Sequence, residues 1–257
     1  MKKAHWNMYL KEFLGTAILL FVGLTGTLLA AQSGLPAVIE YLIIGLSFAA
    51  AIVFVSYSFL GKESGGHINP ALTLAFWMGG LMENIDAAFY VIAQLVGAAL
   101  GAWLSFLVFK WDAASLALTL PSSDDPTMTL LAEIVLSFLL VTLIWGFMSS
   151  EQFGKYTGLA VGIYIVFVTV LFAPIAGPNL NPAVTLAPAI LLGDIKHLPL
   201  YFAGPTVGAA ITVYLYQSIT ESRHPRCCKL CYKTDAECVF KCACEYKPST
   251  EAEVMAL

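Results

Sequence analysis

Two stretches decide how this chain folds: Ser64-Gly-Gly-His-Ile-Asn-Pro-Ala-Leu-Thr73 and Gly177-Pro-Asn-Leu-Asn-Pro-Ala-Val-Thr-Leu186. Each contains an Asn-Pro-Ala triplet, Asn69-Pro70-Ala71 and Asn181-Pro182-Ala183. Asn is a favoured helix N-cap, and Pro suits the first helical position, where no backbone donor is needed. Each triplet therefore reads as a helix start. Before it runs Gly- or Pro-rich irregular sequence. After it comes a short apolar piece closed by glycine, at Gly79-Gly80 and at Gly193. That is the pattern of a re-entrant loop carrying a half-helix, within Ser64–Met82 and Ala173–Gly193. Irregular backbone survives at membrane depth only where it lines a cavity or is buried in protein.

The surrounding sequence supplies the membrane. The chain has 257 residues, of which 59% are hydrophobic and 12% charged, and its mean hydropathy is +0.79. A soluble protein carries roughly 25% charged residues, so a soluble fold and a disordered chain are both excluded. The net charge of −4 leaves no footprint for nucleic acid. A bilayer core of ~30 Å takes ~20 apolar residues per helix. Six runs meet this: Phe13–Ala31, Tyr41–Gly61, Ala87–Phe109, Met128–Ser149, Tyr156–Phe172 and Leu198–Thr220. The start of the chain, Met1–Glu12, leads straight into the first span and lacks a signal-peptide cleavage site. With six spans, Lys2, Lys3, Lys11, Lys62, Lys155 and the six basic residues of the tail share one side. Lys110 and Lys196 lie on the other. The bias predicts that both termini are cytoplasmic.

The halves repeat. Tyr90-Val-Ile-Ala-Gln-Leu-Val-Gly-Ala-Ala returns as Tyr201-Phe-Ala-Gly-Pro-Thr-Val-Gly-Ala-Ala, and Glu12 in the first span has its counterpart in Glu133 of the fourth. Three spans per repeat is odd, so the second repeat is inverted in the membrane. Interrupted segments at matching places in inverted halves mark a site at the midplane. Each helix start brings roughly +0.5 of an elementary charge to that point. If each cap uses the Asn carbonyl oxygen, the amide N–H groups are free to face the pore axis. A water there meets two amide donors in a positive field, which disfavours cations and protons.

These residues resemble the aquaporin and aquaglyceroporin family, the major intrinsic proteins. The resemblance runs from Tyr9 to about Gln217. It rests on Glu12-Phe-Leu-Gly-Thr, on Ser64-Gly-Gly-His-Ile-Asn-Pro-Ala, on Ala93-Gln-Leu-Val-Gly-Ala-Ala-Leu-Gly-Ala and on the second Asn-Pro-Ala. It implies an all-α membrane fold of six transmembrane helices plus two re-entrant half-helices, and a passive channel for water and small uncharged solutes. It also implies a homotetramer with one pore per subunit, no cofactor and no catalytic step. One departure stands out. Most members follow the second Asn-Pro-Ala with an arginine that lines a narrow outer filter; here that position is Val184, and residues 1–220 contain no arginine. The other filter positions carry over to Thr169, to Pro178, and to either Ala49 or Phe48, depending on loop length. Such a filter is uncharged, poor in donors and wider than a water-only one, with glycerol-like solutes expected to pass.

Several residues have two readings. Glu12 and Glu133 are either proton-relay groups, the default for intramembrane acids, or acceptors for backbone N–H groups of the re-entrant loops. The second is what the resemblance implies, and neither acid has the accompanying acid or base that a relay requires. His67 is expected to brace its loop and offer its carbonyl to the pore rather than act as a pH gate. The Gly/Ala faces of the third and sixth spans read as close helix packing.

The chain divides into a channel domain, residues 1–220, with repeats at about 9–110 and 128–220, and a cytoplasmic cysteine-rich tail, residues 221–257. All six cysteines lie in the tail. Cys228, Cys231, Cys238 and Cys242 are enough for zinc, with Cys227, Cys244 and His224 in reserve, but their spacing matches no standard paired knuckle. Cys227 and Cys228 beside Arg223, Arg226 and Lys229 also suit S-acylation, so no metal is assigned. Two rival functions share the architecture. A secondary transporter also uses inverted repeats, but only Glu12 and Glu133 are available for ion coupling. A junctional or scaffold protein would keep a vestigial pore and bind partners through its tail.

Overall fold

The computed structural model describes residues 5–110, 125–193, 195–219, 225, 227–231 and 240–241. Among these, six helices are long and apolar enough to cross a membrane. They are α1 (Trp6–Gln32), α2 (Ala37–Tyr57), α5 (Asn84–Phe109), α6 (Pro126–Met148), α7 (Thr157–Ala176) and α9 (Leu198–Ile219). Three shorter helices complete the set: α3 (Phe59–Ser64) and the half-helices α4 (Pro70–Met78) and α8 (Pro182–Leu192). The six-span, two-half-helix architecture expected from the sequence is the one observed.

Several helix bounds differ from the apolar runs, each for a local reason. Helix α1 starts at Trp6, seven residues before the charge-free run, because the charges there are satisfied. Lys11 is buried in an ion pair with Glu63, and Glu12 is buried among hydrogen-bond donors. The second span stops at Tyr57 rather than Gly61. Ser58 turns extended (ψ 173°), and its hydroxyl accepts from the Leu60 amide at 3.2 Å, capping α3. Helix α7 runs four residues past Phe172, through Pro174, and is closed by Gly177 with φ +56°. Residues 173–176 thus belong to the fifth span and not to the second re-entrant loop.

Packing repeats the internal symmetry. Helix α1 packs on α5 and α2, and α6 on α9 and α7; α2 and α7 meet across the boundary between halves. The half-helices cross over, α4 lying against α9 of the other half and α8 against α5. The tight crossings need residues without side chains. A Cβ on Gly101 would sit 2.2 Å from the Ala17 carbonyl oxygen, and one on Gly208 2.4 Å from that of Ile134. Close backbone approach of this kind drives helix association in lipid, where apolar burial gives little. Both described ends of the membrane bundle, Trp6 and Ile219, reach the same face, called here the terminal face.

Candidate functional site

Each re-entrant loop is held by a buried carboxyl group. Oε1 of Glu12 accepts from the His67 amide at 3.0 Å and the Ser64 hydroxyl at 2.7 Å. Its Oε2 accepts from the Ile68 amide at 2.7 Å and the Gln94 side chain at 2.8 Å. In the other half, Glu133 accepts from the Asn179 and Leu180 amides at 2.6 and 3.0 Å. Both acids therefore accept from loop backbone N–H groups. Ile68 and Leu180 occupy equivalent places and both have positive φ, 40° and 57°. A positive φ is unfavourable for bulky side chains, and persists only where the surroundings enforce it. Here the Glu carboxyl takes each amide, and the opposite loop takes each carbonyl.

That second bond comes from the two Asn side chains. Asn69 Oδ1 accepts from the Ala71 amide at 2.9 Å and Asn181 Oδ1 from the Ala183 amide at 3.0 Å, so both act as N-caps. Nδ2 of Asn69 donates to the Leu180 carbonyl at 3.0 Å, and Nδ2 of Asn181 donates to the Ile68 carbonyl at 2.9 Å. The amides are thus not wholly free, as the sequence reading had them. An amide NH2 has two donors; one ties the halves together and one is left. Pro70, Ala71, Pro182 and Ala183 are buried behind the asparagines and set the helix starts.

A cavity runs past both asparagines. Toward the terminal face it is lined by His67, Leu72, Ile144 and Val161, and toward the opposite face by Tyr41, Phe48, Thr169, Ala173, Pro178 and Val184. Among the described lining residues none is Asp, Glu, Lys or Arg. Of the two alternatives left open on α2, Phe48 lines the cavity; Ala49 does not. Ala49 is buried toward α7, where its carbonyl would lie 3.4 Å from a Cβ on Gly162. The reason is helix phase: Ile44, Phe48 and Ile52 form one i, i+4 stripe into the cavity, and Gly45 and Ala49 form the neighbouring stripe against α7. Phe167 is 53% exposed, on the outer surface, and does not narrow the cavity.

Three features escaped the sequence reading. Tyr41 and Thr27 line the cavity without any motif to mark them. The Tyr90 hydroxyl donates to the Ser64 carbonyl at 2.7 Å and that of Tyr201 to the Gly177 carbonyl at 3.0 Å, bracing the two loops symmetrically. Their signal was present, since these tyrosines head the repeated segment. Finally, Leu230 of the tail lines the cavity. Of the residues considered for zinc, Cys227, Cys228 and Cys231 are described, whereas Cys238, Cys242, Cys244 and His224 lie outside the described residues.

The Major intrinsic protein family matches residues 1–216 of this chain. The chain belongs to that family. It is 35% identical over 216 residues to Glycerol uptake facilitator protein-like 6 of Lactiplantibacillus plantarum, covering 80% of this chain and 94% of that protein. It is 32% identical to Aquaporin AqpM of Methanothermobacter marburgensis, over 81% and 95% of the two. The aquaglyceroporin from Plasmodium falciparum has the same fold, with a TM-score of 0.73 at 22% identity over 84% of this chain and 97% of that one. As a member of the major intrinsic proteins, this chain is an integral, multi-pass membrane protein.

Proposed function

We propose that this major intrinsic protein is a passive channel for water and small uncharged solutes of the glycerol type. The observation that carries the reading is a cavity without charged lining that passes two asparagine-capped half-helix starts. Asn69 and Asn181 each keep one amide donor for a permeating molecule, in the positive field of two helix ends. The carboxyl groups of Glu12 and Glu133 are engaged with loop amides, which argues for a channel over an ion-coupled carrier. No covalent step is involved. The filter consists of Phe48, Thr169, Pro178 and Val184, with one hydroxyl and no cation among them. His67 braces its loop through its amide. Residues 1–220 form the channel and 221–257 a cytoplasmic tail; the lysine and arginine bias favours cytoplasmic termini. The chain works as a homotetramer with one pore per subunit.

Stopped-flow light scattering on proteoliposomes tests this. Water and glycerol should both enter faster than into empty liposomes, without saturation and without response to sodium or pH gradients. Val184→Arg restores a charge and donors at the filter and should reduce glycerol flux relative to water. A pore that passes water but excludes glycerol, with the ratio unmoved by Val184→Arg, would refute the open filter.

A further inference from the structure

We infer that the C-terminal segment Cys227–Cys231, together with Phe240 and Lys241, is a plug that closes the pore at its terminal face, so that only the fraction of molecules with the segment released conducts. The inference rests on the channel reading above and adds a closed state to it.

The segment joins the backbone of both halves across the mouth. The Leu230 amide donates to the Gly65 carbonyl at 2.9 Å, beside the first half-helix loop, and the Gly158 amide, at the start of α7, donates to the Leu230 carbonyl at 3.1 Å. Between these two bonds the Leu230 side chain enters the cavity lining and is 1% exposed. Isobutyl groups offer no hydrogen bond to water, and apolar constrictions close pores by dewetting. His67 is captured as well. Its Nε2 lies 3.0 Å from the Cys228 carbonyl, which can only accept, so this nitrogen carries the proton. The imidazole ring stacks on Phe76 at 4.7 Å and on Phe240 at 5.2 Å. Gly65 admits the segment: a Cβ there would lie 3.0 Å from both the Cys228 carbonyl oxygen and the Phe240 ring. Farther along, the Lys241 amide donates to the Leu81 carbonyl and its ammonium pairs with Glu83, both at 2.9 Å.

The attachment suits release. Cys227, Cys228 and Cys231 form no disulfide, so no covalent bond among the described residues ties the segment down. The Lys241–Glu83 pair is partly exposed, and such pairs hold weakly.

The test uses the full chain in proteoliposomes, comparing the wild type with Leu230→Asp and Lys241→Glu, with water and glycerol flux as the first readout. Leu230→Asp should conduct at least about fivefold faster than the wild type at equal protein, and Lys241→Glu about twofold faster, the smaller change that loss of a partly exposed pair produces. Alkylation of Cys228 and Cys231, read by mass spectrometry, should be slow in the wild type and fast in both variants. Lys241 is half-exposed and outside the spans, so its reversal leaves the bundle intact and guards against misfolding of the Leu230 variant. Equal flux in all three, above empty liposomes, overturns the plug and leaves the channel. Flux no faster than empty liposomes in all three defeats the channel reading and the plug with it.

Discussion

At Asn69 and Asn181 one side chain does three things: it caps a half-helix, ties its loop to the opposite one and keeps a donor for the pore. Asn69→Asp retains the cap but places a carboxylate oxygen 3.0 Å from the Leu180 carbonyl, acceptor against acceptor, and cancels the helix-end field. We expect Asn69→Asp and Asn181→Asp to raise proton and cation leak in a liposome pH-dye assay and to lower the melting temperature; unchanged leak in both would remove the asparagines from the exclusion mechanism. At Cys231, burial pushes the thiol up from 9.0 to about 11, with Cys227 adding and Lys229 and Lys62 opposing. The raised value means that docking is favoured below pH 9 and weakens as pH climbs toward 11. Since the thiolate is the nucleophile, alkylation of Cys231 by iodoacetamide should keep accelerating to about pH 11; a plateau near pH 9 would mean that the thiol is not buried in solution. Much of this scale was legible in advance. The asparagine caps follow from helix-start chemistry and the acid-to-loop bonds from the family resemblance, whereas the crossed amide bonds depend on two loops meeting from 111 and 113 residues apart.

Among the elements, the half-helices and their Gly/Pro-rich approaches were readable because capping chemistry is local. The phase of α2 was not. That helix is apolar all round, so periodicity gives no face, and only packing on α7 turns Phe48 inward and Ala49 away. The α1–α5 crossing is equally a matter of contact. Gly101→Ala puts a methyl group 2.2 Å from the Ala17 carbonyl oxygen, and forced backbone shifts typically cost about 1–3 kcal/mol. By contrast, the nearest atom to a Cβ on Gly146 is the Tyr216 hydroxyl at 3.8 Å, so Gly146→Ala gains helix propensity of about 0.5–1 kcal/mol. Thermal melts in detergent should therefore move in opposite directions for the two variants. A Gly101→Ala protein as stable as the wild type would mean that α1 and α5 are farther apart than described.

For the whole molecule, assembly is the first expectation: native mass spectrometry in mild detergent should give four copies of the 27.7 kDa chain, and a monomer would contradict the homotetramer. The span count, the inversion and the charge bias could all be read from composition and repeat. Docking of the tail could not, because Leu230 and Phe240 meet partners far away in sequence and carry no periodic or motif signal of their own. The crossed bonds between Asn69 and Leu180 and between Asn181 and Ile68 have a further consequence for kinetics. A protein that alternates its opening must rock one half against the other, and each cycle would break both ties, leaving buried groups unpaired at about 1–3 kcal/mol apiece. Passage that leaves them whole meets no such step. Once the mouth is open, the Arrhenius plot of water flux should be shallow and straight, following the viscosity of the solvent and not the stiffness of the protein.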